Sequence, residues 1–199
     1  MSGTNHFFAM MARMKYIGRW ALMRNACQEN ISEHSLDVAM IAHALAVIGN
    51  IRFGRKLDEN KAALIGMYHD ATEIITGDLP TPVKYYNKGI KSAYKEVERI
   101  AAENLLEMLP EDMKDCYEKI LFKQEEDEYL WRIVKAADKL SAYIKCLEEE
   151  KAGNSEFVQA KKSTWMQIEE LELEEVQVFC SEFLESYGLT LDELKLHED

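Results

Sequence analysis

The chain contains little proline and glycine, three and nine residues out of 199. This scarcity excludes a collagen-like chain, a proline- and glycine-rich disordered chain and most glycine-rich all-β folds. Cysteine is also scarce, and no two cysteines form a C-x-x-C pair. We therefore expect reduced thiols rather than a disulfide framework or a zinc site. The four cysteines are Cys27, Cys116, Cys146 and Cys180.

Long hydrophobic runs are absent as well. No apolar run approaches the roughly 20 residues that span a membrane. The N-terminus lacks a basic region followed by an apolar stretch and a small-residue cleavage site, so no secretory signal is visible. Together with the reduced cysteines, these features predict a cytoplasmic protein that does not contact a membrane.

Positive charge is in short supply. The chain has 24 basic and 36 acidic residues, which gives a net charge of −12. Such a surface repels the phosphate backbone of nucleic acids and anionic lipids, so we expect no polymeric nucleic acid among the partners. A small phosphate ester is compatible with this charge if a bound metal or an arginine supplies a local positive centre.

Helical periodicity dominates what the sequence does contain. Apolar residues recur every three or four positions, and neither a strand pattern nor an internal repeat is visible. The pattern predicts an all-α protein in which short loops join antiparallel helices. The length predicts one domain over residues 1–199, with the helices from about residue 154 packing on the rest.

Capping residues place several helix ends. The opening helix is expected over residues 7–17, and Ser32 is the expected N-cap of the next helix. Asp58 is the expected cap of a helix that stops at Gly77. The two prolines of segment 78–82 predict that this segment is not helical.

Two imidazoles and two carboxylates lie where three helices can bring them together. His69 and Asp70 lie near the end of one apolar helix, His34 lies in the first turn of another, and Asp138 lies beside an apolar stripe. Singly, each is more often a cap, an ion-pair partner or a donor to the backbone. Together they form a mixed nitrogen and oxygen ligand set, which suits octahedral Mn²⁺, Co²⁺, Fe²⁺ or Mg²⁺ better than structural zinc.

The order of these ligands, H…HD…D within helical apolar patterns, is the signature of the HD-domain phosphohydrolases. The chain further resembles the bacterial HD-domain 5′-deoxynucleotidases, which remove phosphate from deoxyribonucleoside 5′-monophosphates. The similarity runs from about residue 5 to about residue 165, and Arg19-Trp20 is its more discriminating feature. The matching text is RWxLMRN at 19–25, NxSEHSL at 30–36, YHDAxE at 68–73, TGDLPTPVKY at 76–85, KxAD at 135–138 and YxKCLEE at 143–149.

The resemblance implies an HD-domain helical bundle that forms a homodimer and holds one divalent ion, cobalt, manganese or similar. It assigns Glu73 to general acid/base work and gives Asp70 a catalytic role beside its role as a ligand. A proton donor at neutral pH requires a raised pKa. Without the resemblance, a surface glutamate near a helix end is an equally good interpretation of Glu73. The implied metal ligands are His34, His69, Asp70 and Asp138.

The resemblance also implies contacts with the substrate. Arg19 binds the phosphate, Trp20 forms one wall of the phosphate site, and Asp78 accepts a hydrogen bond from the deoxyribose 3′-OH. The structural alternatives are a helix cap for Arg19, a core position for Trp20 and a plain connector for the turn at Asp78. The residues expected to contact the substrate are Arg19, Trp20, Asp70, Asp78, Leu79, Pro80, Thr81 and Asp138.

Two parts of the sequence receive no function. The acidic runs at 148–151 and 169–175 are predicted to be solvated helix faces. No segment is visible that supplies polar groups for reading the edge of a base. We therefore expect deoxyribonucleoside 5′-monophosphates to be accepted with little regard to the base.

Two other functions are open at this point. The chain can be another HD phosphohydrolase, acting on nucleoside triphosphates or on cyclic or modified nucleotides, although a triphosphatase usually has more basic residues around its substrate. It can also be a non-catalytic helical domain that binds a partner and keeps a relict metal site. The complete ligand set and the presence of Glu73 argue against that second alternative.

Overall fold

The computed structural model describes residues 5–84 and 86–194, without the side chain of Thr81. Within these residues the elements are helices and short 3₁₀ turns, and the only β-type contact is an isolated bridge between Gly18 and Asn30. The all-α prediction is confirmed. The helices are α1 (Phe7–Met11), α2 (Ile31–Phe53), α3 (Glu59–Tyr68), α4 (Glu73–Thr76), α5 (Thr81–Lys84), α6 (Lys88–Glu107), α7 (Glu111–Leu121), α8 (Glu128–Lys151), α9 (Val158–Glu169) and α10 (Glu174–Glu182).

The main apolar core lies between α2, α3 and α8, with α9 and α10 packed against it. Leu45 on α2 and Leu140 on α8 are fully buried there. Burial of each such side chain contributes about 1.5–3 kcal/mol. A second cluster joins α1 to α6 and α7 around Phe7 and Leu105. The core therefore fixes α2, α3 and α8 relative to one another.

Helix α2 is more apolar than the sequence analysis expected. Among the described helices it alone is long and apolar enough to cross a membrane, with a mean hydropathy of 1.5. Polar residues in the first turns of α2 interrupt its apolar sequence, so a search for an unbroken apolar run does not detect this helix. Its residues Val38, Ile41 and Leu45 are buried in the main core, so α2 serves as a core helix.

Asn30 starts α2 and thereby fixes the position of His34. Its Oδ1 accepts hydrogen bonds from the N–H groups of Ser32 and Glu33 at 3.0 and 3.1 Å, and Glu33 Oε2 accepts one from the Asn30 N–H at 3.1 Å. This reciprocal pattern is a capping box. The prediction of Ser32 as the cap was wrong, because its own N–H is one of the donors being capped. The cap predicted at Asp58 is confirmed.

The helix that leads to His69 is interrupted. It was expected to continue to Gly77, but α3 ends at Tyr68 and α4 begins only at Glu73. Between them the backbone bonds to carbonyls three residues earlier, as the Glu73 N–H does to the Asp70 carbonyl at 2.9 Å. Such bonds tighten the chain. The pair of predicted ligands therefore lies in a turn rather than on a helix face.

The other differences from the expected helix ends are small. The opening helix ends at Met11, and a separate 3₁₀ turn covers Met14–Tyr16. Pro82 lies inside α5, so the exclusion of helix holds for residues 78–80 but was wrong for Pro82. The reason is that the first turn of a helix does not need the N–H that proline lacks.

The acidic run at the end of α8 is not fully solvated, because Glu149 is only 1% exposed. Its carboxylate pairs with Lys145 and accepts hydrogen bonds from the N–H groups of Ala26 and Cys27 at 2.8 and 3.1 Å and from the Asn154 side chain at 2.6 Å. Burial alone would raise the pKa of Glu149, but these donors lower it to about 2. The prediction of a solvated face was therefore wrong for Glu149, and it was also wrong for Glu175 in the run at 169–175, which is 0% exposed.

We expect Glu149→Ala to lower the free energy of unfolding by about 3–5 kcal/mol at pH 7, because it leaves the Lys145 charge buried without its partner. The folded-state pKa of Glu149 lies below its unfolded value, so this stabilisation is present above the unfolded pKa and is lost as pH falls toward about 2. Urea unfolding at pH 7 and at pH 3 measures both effects.

The matched control is Glu150→Ala, which removes the exposed partner of Lys161 on the same helix. An exposed pair contributes about 0–1 kcal/mol, so this variant should unfold nearly as the natural protein does. Equal losses in the two variants would contradict the buried role of Glu149.

Candidate metal centre and substrate cavity

The four predicted metal ligands come together from three elements. His34 lies in the first turn of α2, and Asp138 lies on α8. His69 and Asp70 form the turn that follows α3. His34 Nε2 lies 3.2 Å from Asp138 Oδ1 and 3.6 Å from Asp70 Oδ2. His69 Nε2 lies 3.2 Å from the same Asp70 oxygen, and the two imidazole centroids are 5.3 Å apart.

The Nδ1 atom of each histidine has a fixed neighbour. His34 Nδ1 lies 3.1 Å from Ser141 Oγ on α8, and His69 Nδ1 donates to the Gly66 carbonyl at 2.7 Å. Both Nε2 atoms are buried, and neither makes a hydrogen bond of good geometry within the described residues. Metal-binding histidines are typically held in this way: one ring nitrogen, here Nδ1, has a hydrogen-bond partner, and the other, here Nε2, is free to bind the ion.

This donor set fits a divalent cation. Neighbouring ligands of an octahedral ion with bonds of about 2.1 Å lie about 3 Å apart. The nitrogen-to-oxygen separations of 3.2–3.6 Å are close to that value. The mixture of imidazole and carboxylate matches ions such as Mn²⁺ and Co²⁺.

The charges of the centre favour a cation as well. Burial and the Arg19 guanidinium lower the pKa of His34, which keeps its imidazole neutral and able to bind a metal. Burial opposes charge at His69 too, but Asp70 and Asp138 raise its pKa. Burial likewise disfavours an ionised Asp70, yet His69 lowers its pKa. The two carboxylates therefore attract positive charge, and a dication competes with a proton for this position.

Gly66 allows α3 to approach α2 closely enough for the two histidines to meet. A Cβ at this position would lie 2.9 Å from the Cα of Ala39 on α2. Backbone atoms cannot yield as a flexible side chain can, so any larger residue would push α3 away. The same Gly66 also supplies the carbonyl that orients His69. One small residue thus serves both the packing of α3 and the orientation of a ligand.

Glu73 follows the turn that carries His69 and Asp70, as the first residue of α4, and is 7% exposed. Its Oε2 has no hydrogen-bond partner within the described residues. Burial, and then the charges of Asp70 and Asp78, raise the pKa of Glu73 to about 9. A raised pKa favours the protonated carboxyl at neutral pH, which a proton donor requires. The surface interpretation of Glu73 was wrong.

Arg19 and Trp20 lie in the segment that precedes α2. Arg19 cannot cap the opening helix, because that helix ends at Met11. Its Nη1 donates to Glu29 Oε2 at 3.1 Å. Trp20 is half-buried and its ring packs against Phe157, with centroids 5.1 Å apart. Trp20 is thus partly a packing residue, and its remaining surface faces the cavity described next.

A cavity of about 700 Å³ lies beside the metal ligands. Asp70 and Leu79 are half-buried and are not among the described residues that line it. The side chain of Thr81 lies outside the described residues. Five of the residues expected to contact the substrate line this cavity: Arg19, Trp20, Asp78, Pro80 and Asp138.

Helix α9 supplies a polar wall that the sequence analysis missed. Gln159, Ser163 and Gln167 line the cavity and follow one another at intervals of four residues. Residues at this spacing share one face of a helix. Their amide and hydroxyl groups offer both hydrogen-bond donors and acceptors. The expectation that no segment presents such groups was wrong, and their spacing was the signal that could have revealed them.

Comparisons with known proteins point to one family. Residues 6–187 match a model of the family described as 5′-deoxynucleotidase YfbR-like. The chain is 50% identical over 190 residues to the 5′-deoxynucleotidase of Erwinia tasmaniensis, and the match covers 96% of each protein. It is 51% identical over 190 residues to the 5′-deoxynucleotidase of Vibrio cholerae, covering 96% of this chain and 98% of the relative.

Solved structures share the fold. An HD-domain phosphohydrolase from Listeria innocua gives a TM-score of 0.79 at 24% identity, covering 92% of this chain and 88% of its own. The cyanophage S-2L HD phosphohydrolase, solved with dA and one catalytic Zn²⁺ ion, gives a TM-score of 0.65 at 18% identity, covering 92% and 96%. At such identities the likeness shows the fold, and the predicted HD-domain helical bundle is confirmed.

We expect Asp138→Ala to weaken Mn²⁺ binding by about 100-fold or more. Loss of a ligand should exceed the roughly 10–100-fold effect of residues that only support one. Isothermal titration calorimetry with MnCl₂ measures this loss. Asp115→Ala, which removes an exposed aspartate on α7, should bind Mn²⁺ as the natural protein does. Normal affinity in Asp138→Ala would show that Asp138 is merely a residue of α8.

Proposed function

The chain belongs to the YfbR-like 5′-deoxynucleotidase family, and from this premise we propose that it hydrolyses deoxyribonucleoside 5′-monophosphates to deoxyribonucleosides and phosphate. One observation within the chain carries the proposal. Asp138 of the His-Asp cluster and Arg19 line the same cavity, which is large enough for a nucleotide. Arg19 thus supplies the local positive charge that an otherwise acidic protein needs to bind a phosphate ester.

In this proposal the cluster holds one divalent ion, cobalt, manganese or a similar ion. The nitrogen and oxygen donors and the absence of a described cysteine beside them support that choice over a thiophilic metal. When bound, such an ion neutralises charge on the phosphoryl oxygens and acidifies water. The residues that would hold it are His34, His69, Asp70 and Asp138.

Arg19 binds the phosphate in this account. Its guanidinium carries five N–H donors in a planar fork, which matches phosphate oxygens. Glu29 occupies one nitrogen of the fork, so other donors are available to the ester. Trp20 then walls the phosphate site and limits where the ester can move. Asp70 and Asp138 contact the substrate at its phosphate end, beside Arg19.

The turn before α5 binds the sugar. Asp78 accepts a hydrogen bond from the 3′-OH, and Pro80 restricts the backbone of the turn. Leu79 and Thr81 contribute through the shape of this turn. Selectivity for deoxyribose arises because close packing leaves no room for a 2′-OH. Both Asp78 and Pro80 line the cavity, which supports this placement.

A water oxygen forms a new bond to phosphorus as the ester P–O bond breaks, Glu73 donates a proton to the leaving oxygen of the deoxyribose, and a proton lost by the water restores the Glu73 carboxyl. Its burial and its unpartnered oxygen support this role, since a raised pKa keeps the proton available at neutral pH. Asp70 assists by binding the ion and by raising the pKa of Glu73 through its charge.

The base faces the polar residues of α9. A glutamine amide can present either its oxygen or its nitrogen, so Gln159 and Gln167 can match different base edges. This flexibility supports little discrimination among bases. The identity of the base should therefore affect turnover less than the identity of the sugar.

We further propose a cytoplasmic homodimer that binds neither polymeric nucleic acid nor membranes. Four free cysteines support a reducing compartment, and the net charge of −12 supports the absence of nucleic acid. Exposed large apolar residues on α2 and near the C-terminal end of α10, such as Met40, Phe183 and Tyr187, support a contact between two copies.

Phosphate release from paired ribo- and deoxyribonucleoside 5′-monophosphates tests the function. We expect release from every deoxy substrate with Mn²⁺ or Co²⁺, little from the ribo partners, and none from a 3′-monophosphate, whose phosphate would lie where the free 3′-OH binds. EDTA should abolish activity, and Ca²⁺ should restore it poorly because it prefers oxygen ligands. Full activity in EDTA would contradict metal dependence. Equal rates within the pairs would contradict deoxy selectivity alone.

We expect Glu73→Gln to lower kcat by about 10²–10⁴-fold while Mn²⁺ still binds, because the amide cannot donate the required proton. In the natural enzyme, kcat should fall as pH rises through the pKa of Glu73, because only the protonated form acts. A cation bound at the cluster should lower the pKa of Glu73, so the fall in kcat should occur at a pH below the pKa of about 9 that Glu73 has without a cation.

Glu118→Gln, at an exposed position on α7, serves as the control and should leave kcat unchanged. If Glu73→Gln lost Mn²⁺ instead of turnover, Glu73 would be a ligand or its support rather than the proton donor. An unchanged alkaline limb in Glu73→Gln would also exclude Glu73 as the titrating acid.

A further inference from the structure

Glu29 lies directly behind the phosphate-binding segment and contacts both of its side chains. Its Oε2 accepts hydrogen bonds from Arg19 Nη1 at 3.1 Å and from Trp20 Nε1 at 2.7 Å. The Glu29 side chain is only 11% exposed, and that of Arg19 is 12% exposed. One carboxylate oxygen therefore fixes the two residues that define the phosphate site.

The backbone of Glu29 reinforces this arrangement. Its carbonyl accepts a hydrogen bond from the Arg19 N–H at 2.9 Å, next to the bridge between Gly18 and Asn30. Trp20 has φ of 61°, in the left-handed region that non-glycine residues rarely adopt. Such a conformation persists where its surroundings hold it. The hydrogen bond from the Trp20 indole to Glu29 is one of the contacts that do so.

Arg19 has competing partners on its other side. The charges of Asp70, Asp78 and Asp138 all act on its guanidinium, but the charge of Glu29 acts more strongly than any of them. Two of these competitors belong to the candidate metal centre. An Arg19 side chain that was not held by Glu29 would be drawn toward them, because a buried guanidinium seeks a carboxylate.

We propose that Glu29 is a positioning residue that holds the Arg19 guanidinium away from the metal-binding carboxylates and aimed at the substrate phosphate. The proposal rests on the proposed function for the identity of the substrate. Its structural part concerns only Glu29, Arg19 and the carboxylates Asp70 and Asp138. In Glu29→Ala, Arg19 pairs with these carboxylates and competes with the metal for them.

Mn²⁺ titration calorimetry on four proteins tests this competition: the natural chain, Glu29→Ala, Arg19→Ala and the double variant. Glu29→Ala should weaken Mn²⁺ binding by about 10–100-fold, the usual effect of losing a residue that supports a site. The double variant should bind Mn²⁺ within about twofold of Arg19→Ala, because no guanidinium is left to intrude.

The recovery in the double variant separates this role from other ways in which Glu29 can act. Glu29 Oε1 also lies 3.9 Å from His34 Nδ1. If Glu29 acted by orienting His34, or only by stabilising the fold, removing Arg19 would not restore Mn²⁺ binding. A double variant as weak as Glu29→Ala, or a Glu29→Ala variant with normal Mn²⁺ affinity, would overturn the proposal.

Glu103→Ala is the matched control, because it removes the carboxylate of an exposed Arg99–Glu103 pair on α6 and should not change Mn²⁺ affinity. If Glu29→Ala does not fold, Glu29→Gln keeps the shape and one acceptor. The Mn²⁺ affinities of Glu29→Gln and of the double variant Arg19→Ala/Glu29→Gln are then compared in the same way, and the loss of affinity in Glu29→Gln should be smaller than in Glu29→Ala.

A second readout uses the substrate. Glu29→Ala saturated with Mn²⁺ should show a KM for deoxyribonucleoside 5′-monophosphate raised by about 10-fold or more, with a smaller change in kcat, because the phosphate loses an oriented Arg19. An unchanged KM would overturn the claim that Glu29 aims Arg19 at the phosphate. If the natural chain hydrolyses no deoxynucleotide, the proposed function fails, whereas the Mn²⁺ titrations still decide the role of Glu29.

Discussion

Two carboxylates, Asp70 and Asp138, lie within 3.6 Å of the same buried imidazole nitrogen of His34, and the rest of the site depends on what balances their charge. Left alone, their negative charges would repel one another in a setting where water screens poorly. Lys139 Nζ, 3.0 Å from Asp138 Oδ2, balances part of this charge, and a dication or protons between the carboxylates would balance the rest. The packing of α2, α3 and α8 holds the two carboxylates at this short distance from His34. The close contact of α3 with α2 at Gly66 is part of that packing.

The same electrostatics connect distant parts of the chain. Arg19 and Lys139 are cations next to the centre, since Lys139 Nζ lies 3.0 Å from Asp138 Oδ2, and Glu29 pairs with Arg19. The loop that carries Arg19 and Glu29 is fixed in turn by the buried Lys145–Glu149 pair, which binds the backbone of Ala26 and Cys27. Helix α8 therefore supplies the candidate metal ligand Asp138 and, farther along, the anchor of the segment that carries Arg19 and Trp20.

The sequence predicted the fold class because helical periodicity is a local pattern, and it predicted the four clustered side chains because their order resembles that of a known family. It did not predict features that depend on tertiary contacts. The turn at His69 interrupts a pattern that reads as one helix, and the burial of Glu149 depends on a loop more than 100 residues earlier in the chain. Likewise, Arg19 Nη1 donates to Glu29 Oε2 at 3.1 Å, and nothing in the sequence indicates that these two residues pair.

Anomalous diffraction from crystals of the protein loaded with Mn²⁺ tests the central claim most directly. The account predicts one anomalous peak per chain, within bonding distance of the Nε2 atoms of His34 and His69 and of oxygens of Asp70 and Asp138. Arg19 should remain paired with Glu29 and make no contact with those oxygens. A peak elsewhere, two peaks in the cluster, or an Asp138 side chain turned away from the ion would contradict the account.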